Sequence, residues 1–296
     1  GTGMRIALLG TGALGSVLAA RLVQGGNDVV LVADESHTER LQHGLQVNGL
    51  TEFSGILPLQ ATPDGCDWLL LCTKTWQLEP ILPRLEQWNV AVVACQNGLG
   101  TVDTLVKLLG AKNVAGFVTG HGAAQQTDGS VLHAGEGYAV IGAATGAPTT
   151  SLRQLRNAFD AGRIDTALTS YLQGELWLKA IVNNGINPVA ALAGVPNGAL
   201  REGVLRNQAQ AACHEGAAVA TVLKITLPSD PWQRALDIME RTAENHCSML
   251  QDLEAGRRTE IEAITGVIVT NGHEAGVATP VSKALLRAVR KRETSS

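Results

Sequence analysis

The first half of the chain alternates short apolar runs with amphipathic stretches of helical period. The apolar runs have the length of β-strands and cover residues 4–10, 28–33, 67–72, 89–95 and 114–119. Helical segments at 16–23, up to about 87, and at 101–109 lie between them. This alternation predicts a mostly parallel, doubly wound sheet of the Rossmann type. Two further runs, 130–133 and 137–142, predict a hairpin with Gly135 in its turn.

From about Leu152 the strand signals end and the pattern becomes helical. The predicted helices cover 151–161, 170–193, 201–224, 231–254, 258–274 and 280–291, with proline and glycine between them. The fold class is therefore α/β, with an N-terminal Rossmann-type sheet followed by an all-α C-terminal domain. We predict a dinucleotide-binding Rossmann domain at residues 1–166 and an all-helical substrate and catalytic domain at 167–296.

The first predicted strand runs directly into a glycine-rich turn, and an apolar helix follows. Gly10 permits a tight bend, Gly12 allows the backbone to approach a pyrophosphate, and Gly15 allows the helix to pack closely on its strand. The helix N-terminus offers N–H groups to the anion. Strand, turn and helix in this order predict a dinucleotide site at Gly10, Thr11, Gly12, Ala13, Leu14 and Gly15. A glycine-rich turn in another kind of α/β protein is the alternative.

Lys179, Asn183 and Asn187 recur at intervals of four in an otherwise apolar helical segment. This spacing places them on one side of a helix. A buried helix carries such groups inward only where they have partners. The stripe is either a surface band or a cationic proton donor with amides that face a polar ligand, and the glycine turn favours the donor. We expect Lys179 to face a cleft between the domains, and Pro188 to kink or end the helix.

Composition and charge narrow the function further. Of the 296 residues 45% are hydrophobic and the formal charge is −4, so neither disorder nor nucleic-acid binding is indicated. No apolar run approaches the ~20 residues that cross a bilayer, and no signal peptide is visible, so we expect a cytoplasmic protein without membrane association. The five cysteines lack CxxC spacing and the seven histidines lack HExxH spacing. We therefore expect reduced thiols and no metal site, and a homodimer is compatible with the apolar helical half.

Read in order, several segments resemble the ketopantoate reductase (2-dehydropantoate 2-reductase) family. They span nearly the whole chain and are Gly10–Gly15, Lys74–Gln77, Gln96–Gly100, Glu175–Pro188, Pro196–Gly198, Glu244–Met249 and Thr259–Glu262. The resemblance implies an NADP(H)-dependent oxidoreductase that reduces 2-dehydropantoate, a small 2-keto acid, to pantoate on the route to coenzyme A, with Lys179 as the catalytic acid. The residues it implies at the substrate are Asn97, Asn183, Asn187, Asn197 and Ser248. Those it implies at the cofactor are Lys74, Asn97, Ala123 and Glu260.

The chemistry of ketone reduction independently suits these residue types. Hydride delivery to a ketone carbon leaves an alkoxide that needs a proton, and a lysine with its usual pKa of about 10.4 is a charged donor at neutral pH. Glu260 would act as a second catalytic residue that holds the Lys179 ammonium in place and compensates its charge. The alternatives are helix caps for Ser248 and Asn197, a solvated carboxylate for Glu260, and an ordinary loop residue for Lys74.

Asp34 follows the second predicted strand, where the family commonly has an arginine for the 2′-phosphate of NADPH. A carboxylate there repels the phosphate, since two unit charges ~4 Å apart at an effective dielectric of ~20 interact by about 4 kcal/mol. It also bonds well to a ribose hydroxyl. We therefore expect Asp34 to favour NAD(H) or dual use, against which Arg40 on the following helix offers an opposing charge. A helix cap is the alternative for Asp34. Thr265 and the pair His246–Cys247 also depart from the family pattern, which leaves the exact substrate open.

Three functions remain in competition. The first is reduction of 2-dehydropantoate. The second is reduction of another branched 2-keto acid or an imine by the same residues. The third is a nucleotide-binding sensor or scaffold without catalysis, which the presence of both Lys179 and Glu260 disfavours.

Overall fold

The computed structural model describes residues 4–33 and 35–295, which divide into two compact units. The first unit runs up to Gln96 and resumes at Thr101–Leu172. The second contains Asn97–Gly100 and everything described from Gln173 onward. The change of unit thus falls after Leu172, later than the predicted boundary at 166/167, and the short segment Asn97–Gly100 groups with the second unit.

Two sheets lie in the first unit. The strands of the described residues are β1 (Arg5–Leu9), β2 (Asp28–Val32), β3 (Leu45–Gly49), β4 (Phe53–Gly55), β5 (Leu59–Gln60), β6 (Trp68–Leu71), β7 (Val92–Ala94), β8 (Val114–Thr119), β9 (Gly122–Gln125), β10 (Val131–Gly135), β11 (Ala139–Ala143) and β12 (Ala167–Thr169). The eight-stranded sheet has the order β12-β11-β8-β7-β6-β1-β2-β5 and is parallel except where β11 runs antiparallel to β8. This confirms the predicted doubly wound, mostly parallel sheet.

The predicted hairpin at 130–142 is wrong, because its two runs belong to different sheets. β10 pairs with β9 and β3 in a four-stranded sheet of order β4-β3-β10-β9, whereas β11 pairs with β8. The chain crosses over at Gly137, where an added Cβ would lie 2.3 Å from the carbonyl carbon of Gly120. The Gly120 N–H donates to the Tyr138 carbonyl at 2.9 Å and directs the chain onto β8.

The helices flank the larger sheet and make up most of the second unit. Those of the described residues are α1 (Ala13–Gln24), α2 (Glu35–Gln42), α3 (Leu78–Trp88), α4 (Thr101–Leu109), α5 (Thr150–Ala161), α6 (Leu172–Ala193), α7 (Gly203–Val222), α8 (Pro231–Arg241), α9 (Ser248–Glu254), α10 (Val267–Ala275) and α11 (Pro280–Thr294). A π-helical segment, Glu262–Gly266, precedes α10. Within the part of the chain that is described, no helix has the length and apolar character needed to span a bilayer.

Three features of the helical half differ from the predictions. β12 pairs with β11, so residues 167–169 are a strand of the large sheet. α6 continues through Pro188 to Ala193, so the proline does not end it. The single helix predicted at 231–254 is two helices, because the segment between them pairs with Asn197 and Gly198: their N–H groups donate to the carbonyls of Asn245 and Ala243, each at 3.0 Å.

Successive side chains of the central strands point to opposite faces of the eight-stranded sheet, so an apolar core lies on each face. On β1, Ile6 and Leu8 pack with one cluster that includes Leu18 of α1 and Phe159 of α5. Ala7 packs on the opposite face, in a cluster that includes residues of α3 and α4. Strands buried on both faces read as continuous apolar runs, which explains why the sequence pattern found them. A separate apolar cluster joins α6 to the other helices of the second unit.

Candidate functional site

The glycine turn connects β1 to α1 as predicted. Gly10 has a φ of +101°, and a Cβ there would lie 2.6 Å from the Thr73 nitrogen. A Cβ on Gly15 would lie only 1.9 Å from the Gly10 carbonyl oxygen. Both positions therefore require glycine, since backbone atoms occupy the space of any side chain. The turn is held tightly between the ends of β1 and β6.

Gly12 lies on the open side of this turn. No described heavy atom outside its own neighbourhood lies within 4 Å of a Cβ built on Gly12. Gly12 precedes α1, whose N-terminus has, among the described residues, no side-chain cap and no acidic residue in its first turn. A helix N-terminus favours anions, and an uncovered glycine lets them approach the backbone. The turn therefore fits the pyrophosphate of a dinucleotide.

Arg40 on α2 reaches the same turn. Its Nη2 donates to the Thr11 hydroxyl oxygen at 2.9 Å, and Thr11 is buried. This contact holds a guanidinium beside the turn, on the helix that follows β2. Asp34, where a ribose contact was predicted, lies outside the described residues.

Lys74 and Ala123 both lie near the turn. Lys74 follows Thr73, which contacts Gly10, and its backbone is fixed at both ends: its N–H donates to Gln77 Oε1 at 2.9 Å and its carbonyl accepts from Gln96 Nε2 at 3.2 Å. Ala123 of β9 packs against the small apolar cluster that also contacts Ala13 at the start of α1. Lys74 thus follows a residue that packs on the turn, and Ala123 packs on the same apolar cluster as the first residue of α1.

A buried hydrogen-bond chain that was not predicted anchors the smaller sheet to α1. Arg21 Nε donates to Thr51 Oγ1 at 2.5 Å, Thr51 Oγ1 bonds His133 Nδ1 at 2.7 Å, and His133 Nε2 bonds His121 Nδ1 at 3.0 Å. The Thr51 hydroxyl accepts from the Arg21 guanidinium, and the tautomers of His133 and His121 set the direction of the two bonds that follow. Burial lowers the pKa of His133 to about 4 and also lowers that of His121. The signal in the sequence was Arg21, a charge within the apolar run of α1.

Lys179 lies on α6 in the second unit. Although part of the residue is accessible, desolvation lowers the pKa of its ammonium from 10.5 to about 8, and the Glu260 carboxylate offsets part of this by raising it. An amine with such a pKa is still mostly charged at neutral pH but gives up its proton more readily than a surface lysine. This partly buried environment favours the donor interpretation of Lys179 over a surface band.

Glu260 is buried, with 9% of its surface exposed, so the solvated-carboxylate alternative is also wrong. It lies between Thr259, whose hydroxyl and N–H both bond Glu293 of α11, and the π-helical segment. The Ala263 N–H donates back to the Glu260 carbonyl at 3.1 Å. The backbone on either side of the carboxylate is thus fixed by hydrogen bonds.

Asn97 is brought to the second unit by the backbone of its neighbours. The Leu99 N–H donates to the Ala263 carbonyl at 2.7 Å. Gly98 has a φ of +96°, and a Cβ there would lie 2.6 Å from the same carbonyl oxygen. This close approach explains the glycine after Asn97, and it places Asn97 in the unit that carries Lys179 and Glu260.

Two of the predicted substrate residues, Asn183 and Asn187, lie on α6 with Lys179. Asn183 is partly exposed and Asn187 is buried, one and two turns after Lys179. The Cys247 thiol contacts the Asn187 carbonyl at 3.7 Å, which brings the start of α9 to this part of α6. Ser248 is exposed at the first position of α9, and Cys247 is the N-cap residue. The cap interpretation of Ser248 is therefore wrong.

Asn197 is almost fully buried, with 7% of its surface exposed. Its Nδ2 donates to Thr242 Oγ1 at 2.9 Å, whereas its Oδ1 is buried without a hydrogen-bond partner among the described residues. Pro196, not Asn197, is the N-cap of the short helix here, so the cap alternative fails for Asn197 too. A buried acceptor without a partner is costly, which marks this oxygen as one that a ligand can satisfy.

Two further polar residues were not predicted in this unit. Asn184 and Thr265 are fully buried, and Thr265 Oγ1 donates to Asn184 Oδ1 at 2.7 Å. Asn184 was overlooked because the four-residue spacing singled out its neighbour Asn183. The signal in the sequence was the pair of consecutive asparagines, Asn183 and Asn184, inside an apolar helix. A buried asparagine in such a helix needs a hydrogen-bond partner.

Fold and chemistry together define the class of the protein. A Rossmann unit with an open glycine turn, and a helical unit with a desolvated lysine beside a buried carboxylate, are the parts of a nicotinamide-dependent oxidoreductase. Within the described residues no three His, Cys, Asp or Glu side chains are grouped as metal ligands. The family models described as "Ketopantoate reductase PanE/ApbA" and "Ketopantoate reductase PanE/ApbA C terminal" match residues 6–146 and 171–293. The chain belongs to the ketopantoate reductase family.

Individual relatives agree with this assignment. The 2-dehydropantoate 2-reductase of Archaeoglobus fulgidus is 35% identical over 98% of both chains. A PanE/ApbA family ketopantoate reductase from Ralstonia eutropha has a TM-score of 0.88 at 28% identity, over 99% of both chains. A D-mandelate dehydrogenase solved with NADH and anilino(oxo)acetate has a TM-score of 0.91 at 27% identity, again over 99% of both chains. The predicted family, fold and use of a nicotinamide cofactor are confirmed.

Proposed function

We propose that this chain reduces the ketone of 2-dehydropantoate to the hydroxyl of pantoate. The observation that supports this most strongly is the desolvated Lys179 ammonium held beside the buried Glu260 carboxylate. The bound nicotinamide supplies the hydride. As the C2 oxygen gains negative charge, Lys179 stabilises it and transfers a proton to it, and the neutral amine then regains a proton from water. Glu260 keeps the ammonium charged and oriented until that transfer.

We propose that substrate recognition is shared by five polar residues in the unit of Lys179. They are Asn97, Asn183, Asn187, Asn197 and Ser248. Amides and a hydroxyl bond a carboxylate or a hydroxyl without adding charge that would shift the Lys179 pKa. The buried Oδ1 of Asn197 accepts but cannot donate, and its Nδ2 is already engaged by Thr242. This oxygen therefore suits the hydroxyl of 2-dehydropantoate rather than its carboxylate.

We propose that the cofactor is held at the glycine turn by backbone N–H groups of Gly10–Gly15, with Lys74, Ala123 and Asn97 as further contacts. Glu260 is assigned to the same contact set by the resemblance to the ketopantoate reductase family. Asp34 favours NADH, and Arg40 beside Thr11 offers a charge for a 2′-phosphate. With both signs of charge in the sequence after β2, we propose dual use of NADH and NADPH. A kcat/KM at least tenfold higher with NADPH than with NADH would contradict this.

A second candidate is reduction of a different 2-keto acid by the same residues. The observation that favours it is the full-length likeness to a D-mandelate dehydrogenase whose structure holds NADH and anilino(oxo)acetate. Ketone reduction to a 2-hydroxy acid is shared by both candidates. The difference lies in the groups around the substrate carbon, where Thr265 and His246–Cys247 depart from the pattern common in ketopantoate reductases.

One assay separates the candidates. Purified protein is mixed with NADPH or NADH, and loss of nicotinamide absorbance is followed with three substrates: 2-dehydropantoate, 3,3-dimethyl-2-oxobutanoate, which lacks only the hydroxyl, and benzoylformate. Turnover of 2-dehydropantoate at least ~100-fold more efficient than that of 3,3-dimethyl-2-oxobutanoate supports the proposal, since a site built for a hydroxyl rejects an analogue without it. Preferred turnover of benzoylformate supports the second candidate. Cofactor binding without any turnover would identify a sensor.

A further inference from the structure

The π-helical segment Glu262–Gly266 is tied to α6 from the inside. Thr265 donates to Asn184 at 2.7 Å, and neither side chain has any exposed surface. Asn184 Nδ2 in turn donates to Ser282 Oγ of α11 at 3.0 Å. Both Oδ1 and Nδ2 of Asn184 thus have hydrogen-bond partners within the protein. Asn184 is buried and directly follows Asn183, one of the proposed substrate residues.

The same π-helical segment serves two features of the proposed site. It begins two residues after Glu260, the carboxylate that raises the pKa of Lys179. It also contains Ala263, whose carbonyl accepts from the Leu99 N–H at 2.7 Å and so holds the segment that carries Asn97. Any rotation of this segment relative to α6 would move both features at once.

A π-helical turn holds one residue more than an α-helical turn and persists only where side-chain contacts favour it. Relaxation to an α-helix would rotate the residues before the segment by about 100° relative to those after it. On the exposed side, Arg290 forms a two-pronged ion pair with Glu262, at 2.5 and 2.7 Å. On the buried side, the Thr265–Asn184 hydrogen bond joins the segment to α6, the helix that carries Lys179. The ion pair ties the segment to α11, so it is the buried bond that fixes a side chain of the segment to a side chain of α6.

We propose that Asn184 and Thr265 are positioning residues of the reductase site: their hydrogen bond keeps the π-helical segment in register, so that Glu260 stays beside Lys179 and Ala263 holds the Asn97 segment. The proposal rests on the proposed roles of Lys179 and Glu260. It adds a residue pair that does not itself meet the substrate or the cofactor.

The first test is Thr265→Val, which removes the hydroxyl and keeps the shape. We expect kcat to fall by at least ~10-fold, because small displacements of catalytic groups have large effects on rate, with a smaller change in KM. The fall in kcat with rising pH, which we attribute to deprotonation of Lys179, should occur at lower pH, as in Glu260→Gln. Thr265→Ser keeps the hydroxyl and should restore both. Thr279→Val is the matched control: Thr279 is equally buried in this unit, but its Oγ1 has no partner among the described residues.

A second test separates positioning from plain stability. Thr265→Val leaves the buried Asn184 oxygen without a partner, which lowers the free energy of unfolding. The double variant Asn184→Leu/Thr265→Val removes both polar groups, so unfolding in urea should recover towards the wild-type midpoint. If the pair positions the segment, kcat stays low in the double variant. Recovery of kcat together with stability would overturn the proposal.

A third measurement needs no substrate. The rate at which acetic anhydride acylates Lys179, followed by peptide mass spectrometry as a function of pH, reports the pKa of its amine. We expect this pKa to be lower in Thr265→Val than in the wild type, and unchanged in Thr279→Val. An unchanged pKa in Thr265→Val would overturn the proposal. If the wild type does not reduce 2-dehydropantoate, the proposed function fails, and this measurement still decides the role of the pair.

Discussion

Arg40 donates a hydrogen bond from Nη2 to Oγ1 of Thr11 at 2.9 Å, so a guanidinium on the helix after β2 is fixed beside the glycine turn. A charge at this place meets the ribose end of a dinucleotide, where NADH carries a hydroxyl and NADPH a phosphate. We therefore expect Arg40 to contact the 2′-phosphate if NADPH is bound.

Arg40→Gln should therefore raise the KM for NADPH by about tenfold, the scale of one charge-assisted hydrogen bond to phosphate, while the KM for NADH changes less than about twofold. The measurement is steady-state kinetics with both cofactors at saturating substrate. Arg153→Gln, an exposed arginine on α5 of the same unit, is the control and should change neither KM. Equal effects of Arg40→Gln on both cofactors would show that Arg40 only supports the turn.

Gly12 and Gly15 should respond differently to alanine. A methyl group on Gly15 would overlap the Gly10 carbonyl, whereas one on Gly12 meets no described atom within 4 Å. Gly15→Ala should lower the free energy of unfolding by at least ~2 kcal/mol through overpacking. Gly12→Ala should keep wild-type stability within ~0.5 kcal/mol but weaken cofactor binding at least ~10-fold, because the methyl group occupies the space of the pyrophosphate. Urea unfolding and titration of nicotinamide fluorescence measure the two effects, and normal cofactor binding by Gly12→Ala would argue against this turn as the nucleotide site.

Lys179→Ala should lower kcat by at least ~100-fold, the scale expected for loss of a general acid. The dissociation constant of the cofactor should barely move, since Lys179 is not among the proposed cofactor contacts. Lys283→Ala, which removes an exposed lysine of α11, is the control for a general loss of positive charge. Near-normal kcat in Lys179→Ala would remove the lysine from the mechanism.

Reduction should slow as the pH rises through about 8, because Lys179 must be protonated to act as an acid and its pKa is lowered to about 8 by burial. Glu260 raises that pKa, so Glu260→Gln should move the loss of activity to lower pH. The measurement is kcat against pH from 6 to 10 in both proteins. A decline in kcat at the same pH in wild type and Glu260→Gln would show that another group controls the limb.

Regular elements of the Rossmann unit were predictable because strands that are buried on both faces of the sheet consist of continuous apolar runs. α4 and β8 occupy the residues that the pattern indicated, Thr101–Leu109 and Val114–Thr119. β3, β4, β5 and β9 were not predicted, because they are two to five residues long and carry polar residues such as Gln46 and Asn48. Strands of that length have too few positions to show a period.

The residues of the proposed site that lie in a local sequence motif could be predicted. Those that depend on contacts between residues distant in the sequence could not. The spacing of Lys179, Asn183 and Asn187 follows from helix geometry alone. In contrast, the Thr265–Asn184 bond joins residues that are far apart in the sequence, and the pairing of Asn197 with Asn245 broke a predicted helix. No local pattern encodes such contacts, since each partner alone looks like an ordinary polar residue.

The chain from Arg21 through Thr51 to His133 and His121 predicts an acid-sensitive first unit. His133 has a pKa lowered to about 4 by burial, by His121 and by Arg21, against a small opposing effect of Glu136. Since the unfolded histidine titrates near 6.5, the unfolded state binds the proton first as the pH falls. Stability from this group is therefore complete above about pH 6.5 and is lost between about 6.5 and 4.

The shift corresponds to about 3 kcal/mol of unfolding free energy over that range. In His133→Gln this part of the pH dependence should disappear, so that urea unfolding at pH 7.5 and at pH 4.5 differs less than in the wild type. His43→Gln, which changes an exposed histidine of the same unit, should keep the full dependence. If His133→Gln loses as much stability on acidification as the wild type, carboxylates rather than the buried histidine determine the acid sensitivity.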